Sequence, residues 1–95
     1  MINSFLVYDT DDNLVIAYSN PSISFYKLAN NTFVFKVEAK EYYVKVDEDF
    51  KIQMDTPVCL VIKGDINTNN YELDFNKKSL IDSKDFIQVG NYDIR

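Results

Sequence analysis

Between Asn31 and Met54 the chain alternates. Phe33, Phe35, Val37 and Ala39 are apolar at odd positions; Tyr42, Val44, Val46, Phe50, Ile52 and Met54 are apolar at even ones. Period two marks a strand with one buried face, and the change of parity near Lys40 implies a hairpin turn there. Two pairings keep the apolar face intact. A tight turn at Lys40-Glu41 sets Ala39 against Tyr42, Val37 against Val44 and Phe35 against Val46, with Lys36 facing Lys45. A longer loop from Lys40 to Tyr43 sets Glu38 against Lys45 and Lys36 against Asp47, and leaves Tyr42 and Tyr43 at an exposed tip. A one-residue slip would turn the apolar set to solvent. Cross-strand charge pairs are worth ~0.2–1 kcal/mol, which leans toward the longer loop. Asp47-Glu48-Asp49 breaks the alternation because Glu48 takes an apolar-parity position, so a bulge, bend or second turn is expected there.

The flanking segments read as further strands. Phe5-Leu-Val-Tyr8 and Leu14-Val-Ile-Ala-Tyr18 flank the polar run Asp9-Thr-Asp-Asp-Asn13, which has hairpin-turn chemistry. Neither strand alternates, which implies cover on two faces, as in a sandwich core or an oligomer interface. Ile23-Ser-Phe-Tyr-Lys-Leu28 favours a strand through its aromatics, ended by Ala29-Asn-Asn31. Asp55-Thr-Pro57 is a break, since proline cannot donate to a central ladder. Val58-Cys-Leu-Val-Ile62 is apolar throughout and is the expected most buried strand. After the polar stretch from Gly64 to Asn70, Tyr71, Leu73 and Phe75 alternate inward. Asn76 to Asp85 is a loop with room for one helical turn at Ser79 to Lys84, and Phe86-Ile-Gln-Val89 and Tyr92-Asp-Ile94 close the chain. No 12-residue stretch sustains a 3.6-residue period. The expectation is one all-β domain over residues 1–95: a small antiparallel β-sandwich or partly open β-barrel of about seven to nine short strands, with at most one short helix near Ser79 to Lys84.

Charge narrows the class of partner. Fifteen acids against ten bases give a net charge of −5. A sequence-independent nucleic-acid binder needs a basic stripe, and the lysines here are scattered, with a single arginine at Arg95. No direct nucleic-acid contact and no anionic membrane partner are expected; another protein, with a basic surface as the natural complement, fits better. Met1 to Tyr8 has no basic leader and no apolar run long enough for a signal peptide, so signal-peptide secretion is not expected and a cytoplasmic location is. The frequent Asn, Asp, Lys, Ile and Tyr follow AT-rich codons, which suggests an AT-rich bacterium or its phage.

Candidate chemistry is sparse. The chain has no histidine and one cysteine, Cys59, set in an apolar run where a thiol is buried and inert. No catalytic residue is assigned, and no enzyme, cofactor or metal is expected. Asp9-Thr-Asp11-Asp-Asn13 and Asp65-Ile-Asn67-Thr-Asn69 match the first half of a calcium loop. Both lack the glycine and glutamate that complete it, so both read as turns. The candidate partner-binding residues are Tyr42 and Tyr43 at the expected tip with Asp47, Glu48 and Asp49 beside them, and the acidic turn of Asp9, Asp11 and Asp12. Exposed tyrosines anchor protein interfaces, and clustered carboxylates steer toward basic ones. Tyr8, Tyr26, Tyr43 and Tyr92 lie near turns or on the polar parity, where tyrosine either closes the end of a core or faces a partner. Asn30-Asn31-Thr32 matches a glycosylation acceptor but has no secretory context.

Gly64-Asp-Ile-Asn, Tyr71-Glu-Leu-Asp-Phe75 and Gly90-Asn-Tyr-Asp-Ile94 together resemble the closing strands of immunoglobulin-like modules in phage tail and baseplate proteins. The likeness covers about a third of the chain, implies a β-sandwich and carries over no functional residue. The functional expectation is a non-enzymatic interaction module that occludes another protein through exposed tyrosines and acidic turns. The alternatives are a virion assembly module whose unalternated strands pair with other copies as a homo-oligomer, and an acidic DNA mimic that inhibits a nucleic-acid-binding protein.

Overall fold

Polar turns rich in Asn and Asp divide the chain into short apolar runs, and among the described residues these runs become strands. The computed structural model describes residues 2–46, 58–74 and 76. Among them lie β1 (Ile2–Tyr8), β2 (Leu14–Ser19), β3 (Ile23–Lys27), β4 (Thr32–Val37), β5 (Lys40–Lys45), β6 (Val58–Asp65) and β7 (Asn70–Leu73). Every element is a strand, as the alternation implies. The expected break at Asp47-Glu48-Asp49, the helical turn at 79–84 and the strands at 86–89 and 92–94 lie outside the described residues.

The turns use left-handed asparagine and aspartate where many proteins use glycine. Asp12, Asn20, Asn30, Asn31 and Asn69 have φ between 47° and 68°, a region their short polar side chains tolerate. Glu38, at φ 56°, is the exception in residue type.

The seven strands form one sheet in the order β2-β1-β6-β7-β5-β4-β3. The sheet is mixed: β1 with β6 and β5 with β7 are parallel, where the sequence pattern suggested antiparallel neighbours. Both exceptions are contacts distant in sequence, which turn residues do not report.

The edge strands β2 and β3 are consecutive in sequence. Only Asn20, Pro21 and Ser22 join them. Six interstrand steps across a flat sheet cover roughly 29 Å, whereas this connector reaches at most roughly 15 Å. The sheet must therefore curl until its two edges approach. Interior contacts record the curl. The rings of Phe5 on β1 and Phe35 on β4 lie 5.7 Å apart, although flat strands at that separation would stand roughly 19 Å apart. The result is a partly open barrel, with no strand pairing between β2 and β3 among the described residues. Asn20 N–H donates to Asn3 C=O at 2.7 Å, and Glu38 N–H donates to Ser22 C=O at 2.8 Å, so the connector is held to both sides of the opening.

The concave face holds the main core: Phe5, Val7, Tyr18, Phe35, Val37, Tyr42, Val44, Leu60, Ile62 and Tyr71 with their neighbours. A second buried cluster, Leu6, Tyr8, Ala17, Cys59 and Val61, lies on the opposite face of β1, β2 and β6. Two-sided burial explains why β1 shows no alternation. It also makes Cys59, Leu60, Val61 and Ile62 buried in succession, as their unbroken apolar run implies.

The central hairpin turns two residues earlier than the first of the two pairings above. Val37 pairs with Lys40, Lys36 with Glu41, Phe35 with Tyr42 and Val34 with Tyr43, leaving residues 38–39 as the turn. All three registers belong to the same parity class, so burial of the apolar set does not separate them. The observed one places Phe35 beside Tyr42 inside the barrel and opposite charges at Lys36 and Glu41 outside.

Gly64 is required by closeness, not by dihedral freedom. It pairs with Tyr71 in the β6–β7 hairpin. A Cβ at this position would stand 2.7 Å from Tyr71 Cα and would run into the Asn70 carbonyl oxygen. Those are backbone atoms and cannot rotate away. Gly64→Ala is therefore expected to lower stability by at least ~2–3 kcal/mol, in the upper part of the overpacking range. Chemical denaturation of the variant measures it, and a loss below ~0.5 kcal/mol would refute the close approach.

Candidate functional site

The residues suspected of partner contact separate into three groups. Tyr42 belongs to the core and not to an exposed tip. It is fully buried, its hydroxyl lies 2.6 Å from that of Tyr18, and its ring meets Phe5 at 5.3 Å and Tyr71 at 5.6 Å. The turn at residues 38–39 puts it in mid-strand on the concave face. Tyr43, next along, points to the convex face and is 38 % exposed, again in mid-strand. Asp47, Glu48 and Asp49 lie outside the described residues. Tyr8, suspected of an outward role, is buried in the second cluster beside Cys59 and Val61, and that burial raises its pKa above the ordinary phenol value.

Around Tyr43 the convex face of β3, β4 and β5 forms one candidate surface. Cross-strand register lines up Tyr26, Val34 and Tyr43. Val34 is fully buried although it faces outward, while Tyr26 and Tyr43 remain 46 % and 38 % exposed on either side of it. Tyr43 O–H donates to Glu41 Oε2 at 3.4 Å, and the Glu41 charge is the first cause of a raised Tyr43 pKa. The row above has Ser24, Lys36 and Glu41; the row below has Thr32 and Lys45. Tyr26 was legible as an aromatic on the polar parity. Its alignment with Tyr43 was not, because it needs two strand registers.

Asp9, Asp11 and Asp12 build the second surface. Asp9 organises its own turn. Its Oδ1 accepts N–H bonds from Asp11 and Asn13, both at 2.9 Å, and its Oδ2 accepts from Asn13 Nδ2 at 3.3 Å. These bonds, the one from Asn13 first, hold the Asp9 carboxyl below its usual pKa. Asp65 repeats the device, taking Asn67 N–H at 2.9 Å. Both calcium-like segments are thus turns stabilised by their first aspartate. Among the described residues no group of three or more acids or thiols is placed to hold a metal ion.

Parallel pairing of β1 with β6 brings these two turns to the same end of the sheet. Lys63 Nζ meets Asp12 Oδ1 at 3.1 Å between them. Alongside opens a concavity of about 860 Å3 lined in part by Thr10, Lys63, Asp65, Glu72 and Asp74. Charge is therefore segregated. Residues 23–46 carry four lysines and two glutamates, net +2, while the other described residues carry six acids and Lys63, net −5. Among the described residues the convex face of β3–β5 carries Tyr26 and Tyr43 with Lys36, Lys45 and Glu41, and the acidic turns lie where β1 and β6 end.

No family model matches the chain, and neither the curated proteins nor the solved structures contain a match to it, so the likeness to immunoglobulin-like tail modules gains no support from them. No helix among the described residues is long and apolar enough to cross a membrane. The assembly alternative is narrowed by the topology. β1 is paired on both sides, by β2 and β6, and so offers no edge to another copy; β2 has β1 as its single neighbour among the described residues.

The two neighbouring tyrosines give a direct contrast. Tyr43→Ala is expected to cost less than ~1 kcal/mol, and Tyr42→Ala ~3–5 kcal/mol, the range for a large buried side chain. Equal losses in urea denaturation would contradict the opposite facing of the two rings. The acidic turn has its own signature. Because the folded-state pKa of Asp9 is lowered, the turn's contribution is present above the ordinary carboxylate pKa and is lost as pH falls through the lowered folded value. Protection of the Asn13 amide, its exchange rate set against that of an unstructured chain, is expected to be lost only below about pH 4, and Asp9→Ala to lack that protection already at neutral pH.

Proposed function

We propose that this protein is a non-enzymatic interaction module that binds another protein through the tyrosine face of β3–β5. One observation carries the reading: Tyr26 and Tyr43 stand exposed and in register on either side of a buried valine. Rigid aromatic side chains on a sheet contribute contact area at low entropic cost, and tyrosine is enriched among interface anchors. The lack of histidine and the buried position of Cys59 support a binding role over catalysis.

A second reading, occlusion of a basic surface by the acidic end, is favoured by the convergence of the Asp9–Asp12 and Asp65 turns beside Glu72 and Asp74. It would act as a carboxylate decoy for a nucleic-acid-binding cleft, with binding that weakens steeply with salt.

Site-specific photo-crosslinking separates the two. A photoreactive phenylalanine at position 26 or 43 is expected to give one discrete protein adduct in a cell extract, and the same group at Val15 or Ile66, exposed elsewhere, to give none. A discrete adduct only from positions 11 or 68, abolished by 0.5 M salt, would replace the tyrosine face with the acidic end. Identical patterns from all positions would remove both.

A further inference from the structure

We propose that the outer edge of β3 accepts an extended, acidic segment of a partner protein as an added strand; this deepens the tyrosine-face reading and rests on it. Two backbone hydrogen bonds fix which groups of β3 point away from β4. Glu38 N–H donates to Ser22 C=O, and Leu28 N–H donates to Thr32 C=O at 2.7 Å. In an antiparallel pair, bonded and non-bonded residues alternate, so Ser24 and Tyr26 also bond inward to β4. Ile23, Phe25 and Lys27 then aim their N–H and C=O groups away from the sheet.

That edge carries little protection. Natural edges are blunted by bulges, prolines or cover. The other edge strand, β2, has a register shift that leaves Val15 as an extra residue. β3 pairs with β4 over five consecutive positions without a shift, and among the described residues it has no other neighbour. Phe25, Tyr26 and Leu28 on and beside it are 38 %, 46 % and 41 % exposed. Phe25 ends a ladder of rings, stacked on Phe33 at 6.1 Å and tilted against Phe35 at 5.6 Å. An apolar side chain on an added strand would extend that ladder.

Charge selects the occupant. The β3–β5 region is net +2 within a chain of net −5, and Lys27 on the edge strand forms no ion pair with any described residue. An acidic strand is attracted there, whereas a second copy adding its own β3 would set Lys27 and Lys36 against the same two lysines. Area points the same way. The exposed parts of three side chains amount to roughly 300 Å2, well short of the ~800 Å2 per partner of a stable protein interface. They suit a peptide strand, held mainly by backbone hydrogen bonds with alternate side chains adding selectivity.

The test uses the full chain and three synthetic hexapeptides: alternating glutamate and valine, the same with lysine for glutamate, and the first with alternate amides N-methylated. Titration calorimetry at low salt is expected to find the glutamate peptide bound at least tenfold more tightly than either of the others. Phe25→Pro removes an outward donor and no bond to β4, and Phe25→Ala loses the same ring but keeps the donor. The proline variant is expected to bind at least fivefold more weakly than the alanine variant, with circular dichroism confirming that both fold. N-methylation without effect, equal binding by both variants, or preference for the lysine peptide would each overturn strand addition. Loss of binding in Tyr43→Ala with no loss in Phe25→Pro would overturn it while leaving the tyrosine face standing. A stable dimer dispersed by Phe25→Pro would overturn it in favour of a second copy.

Discussion

Three residues, Asn20, Pro21 and Ser22, tie together the two edges of a seven-stranded sheet. Sheets twist, and a wide one either stays open or curls; a connector this short removes the first option. Much else follows from that constraint. Curling brings β1 and β2 across from β4 and β5, so that Phe5, Tyr18, Phe35 and Tyr42 meet as one aromatic interior. The hydroxyls of Tyr18 and Tyr42 face each other in that interior. Burial of a hydroxyl is tolerated only with a partner, and each of these satisfies the other. The same curl leaves β2 and β3 as edges on either side of the barrel's opening.

Local chemistry was legible in the residues and distant pairing was not. The Asp9 turn, the left-handed Asn30-Asn31 turn and the buried run from Cys59 to Ile62 all follow from short-range patterns of residue type. The central hairpin shows the limit. Parity admitted several registers, and the choice rests on Tyr42, whose hydroxyl partner lies 24 residues away on β2. A charge pair worth ~0.2–1 kcal/mol has little weight against placing a tyrosine ring in the core. The parallel pairings β1–β6 and β5–β7 were equally out of reach, and with them the meeting of the two acidic turns. Of the suspected contact residues, Tyr43, Asp9, Asp11 and Asp12 do lie at the surface, whereas Tyr42 does not.

Segregated charge gives the molecule a direction. Among the described residues the carboxylate-bearing turns gather where β1 and β6 end, and four of the five lysines lie along β3, β4 and β5. A protein with such polarity presents itself to a charged surface in a preferred orientation before any contact forms. Net charge alone, a single negative number, conceals this. It is the fold that sets four of these lysines on three neighbouring strands.

The place of β1 in the sheet also sets a timetable. It precedes the other six described strands, is apolar on both faces, and needs β6 as its parallel neighbour, more than fifty residues later. β2 can fold back on it at once, but Leu60, Val61 and Ile62 are still unmade. The hairpins β3–β4 and β4–β5 form from local sequence while the N-terminal hairpin waits with one side of β1 unpaired. Pairing of β1 with β6 therefore waits for some fifty intervening residues and is governed by closure of that long loop, the regime in which β-proteins fold in milliseconds to seconds. For that interval the edge of β1 facing the absent β6 is the most adhesive surface the nascent chain possesses.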